Sequence, residues 1–425
     1  MRYAEMNQET LKTELDKQWA LYAAYQAKNF SYDMTRGKPA ANQLELSMEM
    51  LSKKYIGDGI GVDGADYRNY GIGDGIPEMK QLFAELFHLT TQNVYITGNS
   101  SLNVMHDILA RFLLFGVNEE STPWKNQGKL KFICPVPGYD RHFAITEIFG
   151  FDMINVPLLD DGPDMDMIET LVASDSSIKG MWAIPKYSNP TGTVYSNQTI
   201  LRLASMKTAA PDFRILCDDA YTVHFLGEAP ADQLNLIAAC EAAGNPDRAI
   251  MFASTSKITF PGAGVSAFAS SEANIAYLAK LIGYQTIGSD KLNQFRHVNF
   301  LKNYDGIIAH MKKHAVLIRP KFDICLGTME RELGGLDILQ WTKPSGGYFI
   351  SIDTLEGCAT RVCQLAKECG VALTPAGSSY PYKKDPKDTN IRLAPTYPPV
   401  DQLKEAMEVL CVCIKIASLE KLMEK

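Results

Sequence analysis

No stretch of the sequence approaches the roughly 18 consecutive apolar residues that a membrane-crossing helix needs, so no membrane partner is expected. Residues 1–26 alternate charged and apolar side chains, with no basic segment leading into an apolar one. They do not read as a secretory signal, and a cytoplasmic location is expected. There is no CxxC pair. The nine cysteines, Cys134, Cys217, Cys240, Cys325, Cys358, Cys363, Cys369, Cys411 and Cys413, are odd in number and scattered, as reduced thiols filling a core would be. The seven histidines form no HExxH motif and none stands at metal-ligand spacing from a cysteine, so no metal is expected. Cations are the minority, 42 against 49 acidic side chains, for a formal charge of -7. That balance argues against nucleic acid as a partner. Internal repeats, low-complexity tracts and long linkers are also missing.

What is present is apolar material in quantity: 46% of 425 residues, enough for one large core or two. Short apolar runs at 94–97, 130–134, 181–185, 214–217, 249–253 and 265–269 alternate with helix-like segments, the rhythm of an α/β domain with a mainly parallel sheet. Ligands of such a sheet sit at the carboxyl ends of its strands. Polar clusters follow those runs: Gly98-Asn99-Ser100-Ser101, Pro137-Gly138-Tyr139, Ser188-Asn189-Pro190, Asp218-Asp219-Ala220-Tyr221 and Ser254-Thr255-Ser256-Lys257. Beyond about Asn303 a long amphipathic helix over 307–326, a Gly-Gly-Tyr-Phe-Ile-Ser stretch and a strand at 390–393 predict a smaller α+β unit. The N-terminal helix and the extended 31–40 stretch are expected to pack on it. The division predicted is 56–303 for the large domain, with 1–55 and 304–425 forming the small one.

Each cluster admits a chemical and an ordinary reading. Lys257 ends an apolar strand, where a cation loses solvation and the free amine becomes a usable nucleophile able to form a Schiff base; a snorkelling surface lysine is the alternative. Asp218 follows Arg-Ile-Leu-Cys, where an unpaired carboxylate is costly to bury. A protonated pyridine nitrogen would suit it, and so would a helix cap or internal salt bridge. Tyr221 and Asn189 could each donate to a ring oxygen, although Asn189-Pro190-Thr191-Gly192 also reads as a turn. Gly98 to Ser101 precede an apolar helix over 102–115 whose free N–H groups would cradle a phosphate, or the serines are a plain N-cap. Tyr139 could stack on a flat ring or simply pack. Arg392, in an apolar strand, needs a carboxylate, from a substrate or from within the chain.

Taken in order, Ser-Asn-Pro-Thr-Gly at 188–192, Asp-x-Ala-Tyr at 218–221, Ser-x-Ser-Lys at 254–257 and Asn-x-Arg-Leu at 390–393 are jointly specific. From about Thr35 onward the chain resembles the fold-type I pyridoxal-phosphate aminotransferases of the aspartate aminotransferase family. It is most similar to their divergent bacterial branch, type Ic, through Thr35-Arg36-Gly37-Lys38-Pro39, Tyr67-Arg68-Asn69-Tyr70-Gly71, Pro137 to Phe143 and Asp290-Lys291-Leu292-Asn293-Gln294. The resemblance implies a large domain with a mainly parallel seven-stranded sheet, a smaller α+β domain, and a ping-pong transfer of amino groups between amino acids and 2-oxo acids, aspartate and 2-oxoglutarate foremost. It implies that Lys257 carries pyridoxal 5′-phosphate as a Schiff base and Asp218 pairs with the pyridine nitrogen. Asn189 and Tyr221 would contact the phenolic oxygen, and Tyr139 would stack on the ring. Asn99, Ser100, Ser101 and Ser254 would hold the phosphate, with Tyr70 reaching it from the other subunit of a homodimer. Arg392 would take the substrate α-carboxylate, with Gly37 and Asn189 lining that end.

One departure stands out. The family pattern places an arginine eight residues past the lysine, and here Val265 occupies it. The helix start at Ser100, Lys291 and Arg296 are the candidates to replace its charge. Arg141, Arg36 and Lys38 are candidates to read a second substrate carboxylate. Other donors (alanine, aromatic amino acids, 2-aminoadipate) or a β-lyase reaction fit the same residues. A cofactor-sensing regulatory module would require a winged-helix head before Thr35.

Overall fold

The computed structural model describes residues 2–228 and 233–424. Its largest sheet has eight strands in the order Val94–Ile96, Ser266–Ala269, Ala249–Ser254, Arg214–Asp218, Ile178–Ala183, Lys131–Val136, Asp152–Leu159 and Gly162–Pro163. Ser266–Ala269 runs antiparallel to both neighbours, and Gly162–Pro163 is a two-residue antiparallel edge. The others are parallel in direction. The seven strands expected are therefore there, with a short eighth at the rim. Six match the apolar runs of the sequence. Asp152–Leu159 does not, because only Val156 along it is fully buried, and a half-exposed strand carries no continuous apolar run.

Alternation along the central strands divides the core into two. Ile133, Ile215, Cys217, Met251 and Ala253 face one layer of helices. Phe132, Cys134, Leu216, Ile250 and Phe252 face the other. Successive side chains of a strand point to opposite faces, so a run apolar at every position must be covered on both sides. The nine cysteines are all unpaired, and only Cys363 is less than buried.

The remaining strands form two small sheets. Leu339–Trp341, Ile350–Thr354 and Asn390–Leu393 are antiparallel. Tyr32–Met34 pairs in parallel with Val371–Leu373. Helix Gln8–Gln26 lies on helix Val400–Met423, with the Tyr25 hydroxyl donating to Glu408 (3.0 Å) and the Tyr22 hydroxyl to the Leu365 carbonyl (3.0 Å). Helix Gln8–Gln26 is thus part of this packing, and the described residues before Thr35 do not form a winged helix. The long helix runs Tyr304–Leu333 rather than 307–326. It passes Pro320 and Gly327 because Phe322, Cys325, Met329 and Leu333 keep one face buried, which outweighs local propensity. Among the described residues no helix is long and apolar enough to cross a membrane.

A buried ion pair fixes one flank of the main sheet. Lys179 Nζ donates to Asp212 Oδ1 (2.9 Å), while Trp124 Nε1 and Gln127 Nε2 donate to Oδ2 (2.9 Å each). Asp212→Ala would strand the Lys179 ammonium and the indole N–H, and is expected to cost about 3–5 kcal/mol, measured by urea unfolding.

Candidate active site

Parallel strands deliver their carboxyl ends to one edge of the sheet, and Asn99, Ser100, Tyr139, Asn189, Asp218, Tyr221, Ser254 and Lys257 sit at or just beyond those ends. Asp218 is the last residue of a central strand and 4% exposed. Its Oδ2 accepts a hydrogen bond from His142 Nε2 at 3.0 Å; since an ionised carboxylate only accepts, that nitrogen carries the proton. The imidazole is held by stacking on Trp182 (ring centres 4.2 Å apart, 8° between planes), with the edge of Tyr139 on it at 5.0 Å. Asp218 Oδ1 is buried and has no hydrogen-bond partner among the described residues. Such an atom is expensive to leave open, and it marks the place of a missing donor.

Lys257 closes a short 3₁₀ turn, Thr255–Lys257, at the end of strand Ala249–Ser254. Its Nζ lies 4.8 Å from the centre of the Tyr221 ring. Tyr221 is buried beneath it. Burial, reinforced by the Asp218 charge, pushes its phenol far above the ordinary range, so the hydroxyl keeps its proton. Burial likewise pushes Tyr139 up to about 12.

Arg392 comes from the small antiparallel sheet and meets these loops from across the cavity. Its Nη1 donates to Asp140 Oδ1 at 2.9 Å and to Asn189 Oδ1 at 3.3 Å, and its guanidinium lies 4.8 Å from the centre of the Phe349 ring. Arg392 Nε is buried with no partner among the described residues. The internal carboxylate that Arg392 called for is therefore Asp140, and it occupies only one side of the fork.

One cavity of about 930 Å³ gathers Lys257, Tyr139, Asn189, Tyr221, Arg392 and Gly37, and also all three cations singled out in the sequence, Arg36, Lys38 and Arg141. Lys383 adds a further cation to its lining. It follows Tyr382 in a pair of consecutive left-handed residues (φ 57° each) that no sequence signal marked. Lys38 Nζ is engaged 3.8 Å above the Tyr397 ring, whereas Arg36, Arg141 and Lys383 have no carboxylate partner within ion-pair distance among the described residues.

The proposed phosphate residues lie to one side of this cavity. Ser100 stands at the N-cap of helix Ser101–Phe115, yet its side chain makes no capping bond, leaving the first-turn N–H groups free. Ser254 Oγ donates to Ser256 Oγ, which donates to the Asn99 carbonyl (3.0 Å each). Gly264 runs beneath them: a Cβ there would stand 2.9 Å from Ser256 Oγ and 3.0 Å from the Asn99 oxygen. Val265 points into the core. The two candidate cations separate clearly. Arg296 lines a cleft with Asn99, Gly264 and Val265, whereas Lys291 Nζ is tied to the Gly71 carbonyl (3.0 Å). Tyr70 is 85% exposed and does not enter the cavity of its own chain.

Sequence profiles agree with this geometry. That of the aspartate amino-transferase family matches residues 6–425. The chain belongs to the aspartate aminotransferase family. An aspartate aminotransferase of Corynebacterium glutamicum is 46% identical over 394 residues, covering 93% of this chain and 91% of its own. The crystal structure of an aspartate transaminase from Corynebacterium glutamicum superimposes with a TM-score of 0.97 at 43% identity over 99% of both chains. An α-aminoadipate aminotransferase from Thermus thermophilus, solved with N-(5′-phosphopyridoxyl)-L-leucine, shares the fold at TM-score 0.74 and 20% identity, over 95% of both chains.

For this aminotransferase, sequence reasoning missed His142, Asp140 and Lys383. His142 lay inside a motif used for the resemblance, three residues after Tyr139, but nothing local tied it to Asp218. The family-pattern Gly37 has a steric reason: a Cβ would lie 2.4 Å from Phe349 Cζ, on the ring that supports Arg392. Gly37→Ala should force that ring aside and destabilise the fold by about 1–3 kcal/mol, read by denaturant titration.

Proposed function

We propose that this aminotransferase moves the amino group of L-aspartate to 2-oxoglutarate with pyridoxal 5′-phosphate held at Lys257. The observation that carries the cofactor is the buried Asp218 Oδ1, a carboxylate oxygen with no hydrogen-bond partner among the described residues. The free helix start at Ser100 and the close approach allowed by Gly264 suit a phosphate, and the Lys257 amine lines the large cavity beside them. The aspartate preference is supported by the named relatives and by the excess of cations in the cavity lining.

Pyridoxal phosphate, when bound, supplies a carbonyl that condenses with amines and a ring that accepts the electron pair left at a substrate carbon. Asp218, fixed by His142, keeps a ring nitrogen protonated. Tyr221 and Asn189 donate to the ring oxygen, and Tyr139 covers the ring face. Asn99, Ser100, Ser101 and Ser254 hold the phosphate, Arg296 supplies the charge absent at Val265, and Tyr70 completes the site of a partner copy in a homodimer. Arg392 holds the substrate α-carboxylate, sharing its fork with Asp140. Arg141, with no carboxylate of its own, takes the second carboxylate. The Lys257 amine would hold and move the substrate Cα proton. Residues 56–303 act as the large domain, and 1–55 with 304–425 as the small one.

The visible spectrum of the purified protein tests this. A band that bleaches with L-aspartate, returns with 2-oxoglutarate and is lost in Lys257→Ala is expected; a cofactor band indifferent to aspartate would move the function to another donor, and no band at all would overturn the cofactor. Asp140→Asn, which removes the competing charge while keeping its shape, should lower KM for both substrates by up to about fivefold, the worth of a partly exposed ion pair. Steady-state kinetics with each substrate varied would check it.

A further inference from the structure

The turn that carries Lys257 is gripped from behind by three buried histidines with no part in the site described above. His310 Nε2 and His314 Nε2 both approach the carbonyl oxygen of Ile258, the residue after Lys257, at 3.0 Å. His297 holds the next residue: its Nδ1 donates to the Asn293 carbonyl (2.7 Å) and its Nε2 faces the Thr259 hydroxyl at 2.9 Å. His310 and His314 are 4% and 1% exposed. They stand four apart on helix Tyr304–Leu333, their Nε2 atoms 3.3 Å from each other. Two imidazole nitrogens so close to one carbonyl are held only if both direct N–H groups at its two lone pairs.

The proton arrangement of His314 is dictated from a third element. Gln43 Oε1 accepts from the Ala40 N–H (3.0 Å), which fixes the orientation of the amide. Its Nε2 then faces His314 Nδ1 at 3.2 Å and donates also to the Tyr348 hydroxyl at 3.1 Å. A donor opposite Nδ1 makes Nδ1 an acceptor, so the ring hydrogen of neutral His314 must sit on Nε2, facing Ile258. Ser47, from the same segment as Gln43, meets His310 Nε2 at 3.2 Å. That segment begins with Thr35, Arg36, Gly37 and Lys38, which line the Lys257 cavity.

We propose that His310 and His314 are positioning residues for Lys257, and that Gln43, by setting the hydrogen on His314, links the N-terminal cavity wall to the lysine turn. The inference rests on Lys257 being the reactive amine. The ionisable groups around His314 are His310, His224 and, across Gln43, Tyr348, with Lys257 acting on His224. Burial and the neighbouring His310 bring His314 down to about 4, and burial beside Lys257 brings His224 down to about 3. His314 and His224 therefore stay neutral near neutrality, and burial lowers His310 in the same direction.

Gln43→Glu tests this with almost no change of shape. Glutamate can still accept from Ala40, but it faces His314 with an acceptor. His314 then holds its Nδ1–H, and keeps Nε2–H toward Ile258 only while protonated. Its pKa rises, and above the new value the ring turns a bare Nε2 to the carbonyl. Two readouts follow between about pH 6 and pH 9, where imidazoles titrate: ring ¹⁵N shifts of His314, and reductive methylation of Lys257 in the cofactor-free chain, located by mass spectrometry. The variant-to-parent labelling ratio should start near one and rise about fivefold with pH, the size of one lost hydrogen bond. In the loaded enzyme kcat should gain a matching alkaline loss, with KM unchanged. A His314 that keeps Nε2–H in the neutral variant, or one that shifts to Nδ1–H without moving the labelling ratio, would overturn the proposal. Absence of transamination in the parent would sink the functional reading alone, because the labelling arm needs no turnover.

Discussion

Everything in this site is arranged around a carboxylate that the fold buries and satisfies only by half. Asp218 ends a central strand covered on both faces, where a charge without partners is not tolerated. His142 answers one oxygen and is itself wedged between Trp182 and Tyr139, so its direction is set by packing on the far layer of the core. The other oxygen is buried and has no hydrogen-bond partner among the described residues. A donor that meets this need gains the hydrogen bond and relieves a standing penalty, a preference that the proposed protonated ring nitrogen would exploit.

The second organising feature is that Arg392, the cation proposed for the substrate carboxylate, comes from a different sheet. Asn390–Leu393 belongs to the small antiparallel sheet, so Arg392 reaches Asn189 and Asp140 only because that sheet stands against the carboxyl edge of the large one. Phe349, from the same small unit, stiffens the guanidinium from below. Helix Tyr304–Leu333 and the Ala40–Ser47 segment close the back of the lysine turn. Chemistry at one amine is thereby bounded by elements far apart in the chain, and the rigidity of each is set by packing rather than by local preference.

The sequence disclosed the parallel strands because residues buried on two faces are apolar at every position, and it disclosed the site because polar residues gather where those runs stop. It did not disclose Asp152–Leu159, whose one-sided burial leaves no such run. Nor did it disclose pairings between distant segments. His142 and Asp218, or Asp140 and Arg392, meet only after the sheet is assembled, and no spacing rule connects them. The pair His310 and His314 was visible as two histidines four apart on a helix, a pattern easily taken for a metal motif or passed over. Its meaning lies in Ile258 and Gln43, from two other elements. Among the described residues no group of three or more metal-capable side chains is assembled there.

The cysteines give the chain an unintended property. Burial drives the thiols of Cys134, Cys217 and Cys413 well above their normal range, and even Cys363, the least enclosed, goes up to about 11. Acidity therefore contributes almost nothing to the rate at which these sulfurs meet an oxidant or an alkylating agent. That rate is governed by how often each neighbourhood opens. Spread over the central sheet, the helices of its flank and the C-terminal helix, the thiols act as a set of internal clocks, each ticking with the breathing of its own part of the molecule.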